Sequence, residues 1–356
     1  MTQILIGTTK GVFILEEGRL TGPLCDGWPI NHVIGDPATG RLYAAGGGEF
    51  HGAGIWRSED RGASWTLSKL ASGNADEWFA PEAPKAPFTG QIVTFWSLGI
   101  VGGKVLAGAK PANLFESTDG ETWTLQPALA SFPGREDWWP GAAGLVLHTI
   151  VGDPAAPEKL WVGISAAGVF ASEDGGQSWE RRNRASNAAA HDGHDHDPSE
   201  IGSCVHNMVR APGSPDLMYQ QNHHGVFRSR DGGRSWDDIS AGLPSTFGFP
   251  IAVHPQDPLR IWTLPLNGDS AGRFPPGASA AVWHSRDGGE TWERQGNGLP
   301  QENCFFTVLR QAMATDRAGG VYFGTNSGSI FATKDGGASW QELAQHLPTI
   351  TSVETL

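Results

Sequence analysis

Residues 172–179 read SEDGGQSW, a motif with an aspartate, two glycines and a final tryptophan. The motif is repeated along the chain. Near-copies are SEDRGASW (58–65), SRDGGRSW (229–236), SRDGGETW (285–292) and TKDGGASW (333–340), with a copy one residue shorter, STDGETW, at 117–123. The aspartates of the copies follow one another at intervals of 59, 55, 57, 56 and 48 residues. An internal repeat of this length predicts an array of similar structural units.

The repeated motif resembles the Asp-box, or BNR repeat, of sialidase-like, sortilin-like and photosystem assembly factor-like β-propellers. In such a turn the aspartate accepts hydrogen bonds from nearby backbone N–H groups, and the glycines permit positive φ. The resemblance implies that each tryptophan packs between blades. The six aspartates are therefore expected to be structural, and none is a candidate catalytic acid or base.

A second pattern accompanies the boxes, in which an apolar strand ending in glycine is followed by a loop and a glycine–apolar–aromatic strand. Examples are ILIGTTKGVF (4–13), LWVGISAAGVF (160–170) and VYFGTNSGSIF (321–331). Seven such units can be traced, and the last box is followed by one more strand-like stretch, LPTITSVETL (347–356). The pattern predicts a single all-β domain over 1–356. It is a seven-bladed β-propeller with Asp-box turns, whose C-terminal strand closes the N-terminal blade and removes the free sheet edge.

Composition limits the function classes. The chain has 38 acidic and 25 basic residues, a net charge of −13, which argues against nucleic-acid and anionic-membrane partners. The N-terminal stretch lacks a basic region and a long apolar region, so a cytoplasmic protein is expected, with a monomer as a plausible state. Cys25, Cys204 and Cys304 form no disulfide framework and are expected to be free thiols.

Loop lengths predict which face of the propeller carries function. The boxes mark one face, whereas long connections at about 68–93, 126–143, 182–202 and 266–280 belong to the opposite face. Long loops on a rigid scaffold commonly carry function. We therefore expect one polar pocket on this face. Its residues come from the starts of the innermost strands and from the loops that follow the second strands.

A histidine-rich group is the candidate metal site. His148 and His206 occupy equivalent positions at the starts of two innermost strands, and Gln221 and His223 lie in the blade that His206 begins. Three imidazoles with Gln221 or Glu200 could hold a divalent metal, Zn, Mn, Ni or Ca, with an open coordination position. The alternative is a polar channel filled with water.

Candidate catalytic residues are Arg310, Glu200 and His224. Arg310 lies in TVLRQAM, which is expected to be an otherwise apolar innermost strand. There it could clamp a carboxylate, sulfate or phosphate, or form an ion pair with Glu354 or another acid. Histidine would act as metal ligand or general base. Candidate substrate-binding residues on the same face are Lys10, His51, Trp96, Lys110, Asn222, Arg273 and Trp138. Exposed tryptophans suit sugar rings, although they could instead pin the loops.

One stretch, HDGHDHDP at 191–198, looks like a ligand set by composition alone. Its glycine and its alternating charges favour a lid or solvated rim, because metal ligands need to be held by rigid elements. The stretches CVHN (204–207) and QNHHG (221–225) are the better candidates for the site.

Three functions remain open. The first is an enzyme of hydrolase or lyase type that acts on a carbohydrate or another small polar, anionic ligand. The second is a non-catalytic binding or assembly scaffold, and the third is a divergent sialidase-like glycoside hydrolase. The same position of the second strand holds a tyrosine in three units, Tyr43, Tyr219 and Tyr322, which indicates that these side chains serve in packing. No tyrosine is then left to act as a nucleophile, so a sialidase mechanism with a tyrosine nucleophile is not expected. The resemblance in fold does not change this, because fold alone does not fix function.

Overall fold

The computed structural model describes residues 2–186 and 200–356, so the stretch 191–198 lies outside the described residues. Within the described chain, 28 strands form seven four-stranded sheets. Apolar residues fill the interiors of most strands, and glycine-rich or proline-containing turns separate them. The predicted seven-bladed β-propeller is confirmed.

Four sheets contain strands β1 to β15 together with the C-terminal strand β28. They are β28-β1-β2-β3 with β1 Ile4–Thr8, β2 Gly11–Glu16, β3 Arg19–Leu24 and β28 Ile350–Thr355; β4 Ile30–Gly35, β5 Leu42–Gly48, β6 Gly52–Ser58 and β7 Thr66–Ala71; β8 Thr94–Val101, β9 Lys104–Lys110, β10 Leu114–Ser117 and β11 Thr124–Leu125; and β12 Val146–Asp153, β13 Ala156–Ser165, β14 Gly168–Ser172 and β15 Glu180–Arg181.

The other three sheets follow in simple sequence order. They are β16 Val205–Arg210, β17 Met218–Asn222, β18 Val226–Ser229 and β19 Asp237–Asp238; β20 Gly248–Val253, β21 Ile261–Pro265, β22 Val282–Ser285 and β23 Glu293–Gln295; and β24 Met313–Thr315, β25 Val321–Gly324, β26 Ile330–Thr333 and β27 Gln341–Ala344.

Helical structure is short. In residues 2–186 and 200–356, two α-helices, α1 Asn74–Phe79 and α2 Pro127–Ala130, lie in connections between sheets, and 3₁₀ turns occur at Cys25–Gly27, Arg135–Asp137, Asp269–Ala271 and Pro276–Ala278. Across the part of the chain that the structure describes, no helix has the length and apolar character needed to cross a membrane.

The C-terminal strand β28 pairs with β1 as the inner strand of the first sheet, as the sequence predicts. Ile350, Ser352 and Val353 are fully buried. The backbones of Gln3 and Leu356 exchange two hydrogen bonds, of 3.1 and 2.9 Å. Strand pairing between the two ends of the chain thus completes this sheet.

Contacts divide the chain into two compact units. The first comprises residues 1–166, 172–179 and 351–356, and the second comprises residues 167–171 and 180–350. In the second unit, a core cluster of Tyr219, Val226, Ile239 and Ile251 has the box tryptophan Trp292 packed against it. The Trp292 indole Nε1 donates to the carbonyl of Ile239 at 2.8 Å, which ties this box to the preceding blade.

The Asp-box turns are closed by their own polar atoms. In the box at 172–179, Asp174 Oδ1 accepts from the backbone N–H of Ser178 at 2.9 Å, and Asp174 Oδ2 accepts from the Ser178 hydroxyl at 2.5 Å. Ser172 Oγ accepts from the backbone N–H of Gly176 at 2.8 Å. Both carboxylate oxygens of Asp174 therefore accept hydrogen bonds within the turn, which agrees with a structural role.

These hydrogen bonds predict an acid-dependent loss of stability. Bonding to Ser178 lowers the pKa of Asp174 to about 2. Because the folded-state pKa is below the unfolded value of about 4, the stabilisation is present above pH 4 and is lost as the pH falls through 2. Asp174→Asn should lower the melting temperature at pH 7, and the difference from the wild type should shrink between pH 4 and pH 2.

Thermal melts at several pH values check this expectation. Glu82→Gln, which changes an exposed carboxylate outside the boxes, is the matched control and should show no such trend. A deficit for Asp174→Asn that stays constant down to pH 2 would contradict the assignment of the stabilisation to the ionised carboxylate.

Candidate functional site

The first strands of several blades carry a β-bulge near their starts. The pairing register shifts between Phe95 and Ser97 in β8, between Leu147 and Thr149 in β12, and between Val205 and Asn207 in β16. The bulged positions are Trp96, His148 and His206, of which the sequence analysis selected the two histidines as equivalent. A bulge re-aims the side chain of its extra residue, and bulges are common beside functional sites.

A group of three ligating side chains lies in the second unit. Cys204 directly precedes β16, His206 is the bulged residue of that strand, and His223 follows β17. The backbone N–H of His223 donates to the carbonyl of Cys204 at 2.9 Å, which holds the loop against the strand start. One ligating atom from each of the three side chains lies within 4.8 Å of the others.

The tautomer of His206 follows from its partner. His206 Nδ1 lies 2.6 Å from the carbonyl oxygen of Gly248, and a carbonyl oxygen can only accept. Nδ1 therefore carries the proton and donates to Gly248. In the neutral ring, the lone pair is then on Nε2, which lies 3.6 Å from Cys204 Sγ.

Two phenylalanines enclose the histidines. The ring centroid of His206 lies 5.3 Å from that of Phe247 and 4.7 Å from that of Phe249, and His223 lies 5.1 Å from Phe247. Both phenylalanines are buried. They flank Gly248 at the start of β20, so the same short segment supplies the carbonyl and the apolar wall.

Arg310 lies beside this wall. Its guanidinium carbon is 4.9 Å from the centroid of the Phe249 ring. Its Nε is shielded from solvent and has no hydrogen-bond partner among the described residues. Burial lowers the pKa of Arg310, although an arginine remains protonated at neutral pH.

The backbone at Arg310 differs from the sequence prediction of a strand through TVLRQAM. β24 begins only at Met313. The backbone N–H of Ala312 donates to the carbonyl of Leu309 at 3.1 Å, a turn that takes Arg310 out of the strand ladder. The carbonyl of Arg310 accepts from the side-chain amide of Asn207 at 2.7 Å, which fixes the turn beside β16.

A second arginine approaches the same ring. The guanidinium carbon of Arg273 lies 5.7 Å from the Phe249 centroid, and its Nε donates to Asp269 Oδ1 at 2.6 Å. Asp269 Oδ2 lies 4.0 Å from His223 Nε2. Asp269 therefore offsets the charge of Arg273. The alternative partner for Arg310, Glu354, lies 3.3 Å from His32 Nε2 in the first unit instead.

Cys204 is the least expected member of the group, since the sequence suggested only a buried thiol. Burial raises the pKa of its thiol, while the charge of Arg310 acts in the opposite direction. Phe247, Gly248 and Phe249 carried no sequence signal beyond the alternation F-G-F, which places two rings on one face of a strand.

The other predicted residues of the second unit have partners of their own. Gln221 donates to the carbonyl of Thr246 at 2.9 Å, and its amide oxygen accepts from the Thr263 hydroxyl at 3.0 Å. Asn222 donates to the carbonyl of Gly202 at 2.5 Å. Glu200 forms an ion pair with Arg181 at 2.8 Å. The His224 ring lies 4.9 Å from that of His223.

The remaining predicted residues lie in the first unit. His148 Nδ1 is 2.9 Å from the Thr149 hydroxyl. The His51 ring packs 5.2 Å from Trp28, and Trp138 packs 4.7 Å from the guanidinium of Arg135. Lys10 is exposed, whereas Trp96 and Lys110 are partly buried. Their part in ligand binding stays a prediction.

The tyrosines are placed as the sequence indicates. Tyr43, Tyr219 and Tyr322 are all buried, at 3%, 0% and 2% exposure. The Tyr219 hydroxyl donates to the carbonyl of Pro258, and the Tyr322 hydroxyl donates to Asp316. Burial raises the pKa of Tyr219 to about 12. Side chains so placed are suited to packing and not to nucleophilic attack.

Comparisons with known proteins agree with this architecture. The BNR/Asp-box repeat model matches residues 283–294. The photosystem II assembly lipoprotein Ycf48 of Synechococcus sp. (strain CC9902) is 30% identical over 136 residues, which cover 35% of this chain and 35% of that protein. The chain thus spans about a third of the length of this curated relative.

Solved structures show the same fold at low identity. A GH74 enzyme of Niastella koreensis superposes with a TM-score of 0.61 at 15% identity, covering 99% of this chain and 51% of that one. YCF48 bound to a D1 peptide superposes with a TM-score of 0.56 at 15% identity, covering 88% and 80%. The chain thus has the seven-bladed β-propeller fold, and residues 283–294 match the BNR/Asp-box repeat.

Proposed function

We propose that this propeller binds a small anionic ligand beside Arg310 and acts on it as a hydrolase or lyase. The observation that supports this proposal is the shielded Nε of Arg310, which has no hydrogen-bond partner among residues 2–186 and 200–356. A cation that loses water without gaining a partner is costly. A carboxylate, sulfate or phosphate would accept from Nε and a neighbouring N–H in the bidentate geometry that arginine favours.

Local charge supports an anion despite the acidity of the whole chain. The net charge is −13 overall. Around Phe249, however, the described part of the chain places two arginines near one carboxylate, Asp269, which pairs with Arg273 and not with Arg310. One positive charge is therefore uncompensated there, and it lies next to an apolar wall that strengthens electrostatic interactions.

The imidazoles give this site groups capable of chemistry. His206 directs an Nε2 lone pair away from its carbonyl partner, as a general base or a metal ligand requires. Arg310 would stabilise negative charge that develops on the ligand. An acidic sugar, which combines a carboxylate with a ring that can pack on aromatic side chains, is a ligand of this class.

Anion titrations test the binding step. We expect sulfate, phosphate or glucuronate to raise the melting temperature of the wild type, because a ligand that binds the native state stabilises it. Arg310→Gln should weaken that binding roughly 10- to 100-fold, the range for a lost charged hydrogen bond.

The control is Arg317→Gln, which removes an exposed arginine of the same unit. Chloride at equal ionic strength separates specific binding from general salt effects. The proposal is wrong if no oxyanion stabilises the wild type, or if Arg310→Gln responds as the wild type does.

A binding or assembly scaffold is the second candidate, favoured by the 30% identity to the assembly lipoprotein Ycf48. In that case Arg310 would hold a carboxylate of a peptide and no reaction would follow. Titration with a short peptide bearing a free C-terminal carboxylate, and with its amidated form, distinguishes the two. Binding of the free-acid peptide alone, with no binding of glucuronate, would favour the scaffold.

A further inference from the structure

The group of Cys204, His206 and His223 has the composition of a metal site. Their ligating atoms lie within 4.8 Å of one another. We propose that these three side chains bind Zn²⁺ and leave its fourth coordination position open to a ligand. Three protein ligands with one open position are the arrangement of catalytic zinc sites.

The spacing of the best-fixed pair fits a tetrahedral zinc ion. Zn–S and Zn–N bonds of about 2.3 and 2.0 Å at the tetrahedral angle place the two ligand atoms roughly 3.5 Å apart. Cys204 Sγ and His206 Nε2 are 3.6 Å apart. The ligating atom of His223, a partly buried residue that follows β17, lies within 4.8 Å of the other two and would need to move by roughly 1.5 Å at most to complete the tetrahedral spacing.

The surroundings of His206 match those of a metal ligand. A metal-bound histidine usually donates its other ring N–H to a carbonyl or carboxylate, which sets the tautomer and the ring orientation. His206 makes this bond to the Gly248 carbonyl at 2.6 Å. Phe247 and Phe249 supply the apolar shell that limits solvent access.

The sulfur narrows the choice among the metals that the sequence suggested. Thiolate and imidazole ligands suit Zn²⁺, whereas Ca²⁺ and Mn²⁺ prefer oxygen. Cys204 replaces Gln221 in this ligand set, because the amide oxygen of Gln221 already accepts from Thr263 at 3.0 Å. His148 lies in the first unit and is not part of the set.

The metal would deepen the anion-binding function proposed above, and this part of the inference rests on that function. Zn²⁺ with one thiolate carries a net charge of about +1, which adds to the charge of Arg310. An anionic oxygen of the ligand would then take the open position while Arg310 holds the rest of its charge.

Metal titration of the chelator-stripped chain tests the site directly. We expect one equivalent of Zn²⁺ to bind, and one equivalent of Co²⁺ to give a thiolate charge-transfer band. Cys204→Ser should abolish that band, and Cys204→Ser and His206→Ala should each weaken Zn²⁺ binding by at least the roughly 10- to 100-fold seen when a metal-supporting residue is lost.

Two controls isolate these residues. Cys304→Ser removes another free cysteine and should bind Zn²⁺ as the wild type does. A triple variant, His191→Ala, His194→Ala and His196→Ala, measures any binding by the histidine-rich stretch and should retain the Co²⁺ band. If a variant fails to fold, the alkylation rate of Cys204 in the wild type is measured with and without Zn²⁺ instead. Bound Zn²⁺ is expected to protect the thiol from alkylation.

The outcomes separate this inference from the proposed function. Arg310→Gln should retain Zn²⁺ while losing anion binding. The inference is overturned if the stripped wild type binds no Zn²⁺, if Cys204→Ser binds it unchanged, or if only the triple variant loses it. Anion binding that persists in a metal-free wild type would leave the proposed function standing without its metal.

Discussion

A chain that stops at Thr349 is expected to be unfolded or aggregated at 25 °C. The deletion removes β28, in which Ile350 and Val353 are fully buried. Burial of each such side chain stabilises by about 1.5–3 kcal/mol, and each backbone hydrogen bond adds about 0.5–1.5 kcal/mol. The total is on the order of 5–10 kcal/mol, comparable with the whole stability of a typical protein.

Exposure of β1 adds a second penalty. Without β28, the inner edge of the first sheet presents the unpaired backbone of β1, whose residues Ile4–Thr8 are all buried in the intact protein. An exposed apolar edge strand is a site of aggregation. Truncation should therefore reduce solubility as well as stability.

Size-exclusion chromatography and thermal melts of the truncated chain check this result. Adding a synthetic peptide of residues 347–356 should restore a cooperative transition, because the missing strand is supplied in trans, whereas a scrambled peptide should not. A truncated chain that stays monomeric and melts within a few degrees of the wild type would contradict closure by β28.

The second large effect is expected for Trp236→Ala, which should destabilise the protein by about 3–5 kcal/mol. Trp236 has 0% exposure, and its indole Nε1 donates to the carbonyl of Arg182 at 2.9 Å. Truncation leaves a cavity and also removes the indole N–H that donates to the Arg182 carbonyl. For a chain of this size, the melting temperature should fall by roughly 5 °C.

Two variants give this prediction its controls. Trp236→Phe retains most of the packing and should cost less than the alanine change. Trp139→Ala removes an indole that is 79% exposed and should change stability by no more than about 0.5 kcal/mol. Equal losses for Trp236→Ala and Trp139→Ala would show that the box tryptophan is not a core residue.

The fold could be predicted because its signals are local. Each box uses an aspartate, a serine and glycines within eight residues, as Asp174 and Ser172 illustrate. The closing strand could be inferred because the first unit lacked an inner strand and residues 347–356 had no unit of their own. Counting the units required no knowledge of distant contacts.

The candidate site could be predicted only in part. The sequence selected His206, His223, Arg273 and Arg310 from their positions in the repeat. It suggested Gln221 and His148 as further ligands, and it placed Cys204 in a candidate stretch without making it a ligand. Gln221 is bonded to Thr246 and Thr263 on neighbouring segments, a fact that the repeat pattern does not contain.

The sequence by itself therefore determined the number of blades, the boxes and the closing strand, because hydrogen bonds within a turn and alternation along a strand are written in consecutive residues. The tertiary structure alone decided that Cys204 lies 3.6 Å from His206, that Gly248 sets the tautomer of His206, and that Arg310 rests on Phe249. The contact of His206 with Gly248 and that of Arg310 with Phe249 each join segments at least 42 residues apart. They depend on a bulge and a turn that no local pattern specifies.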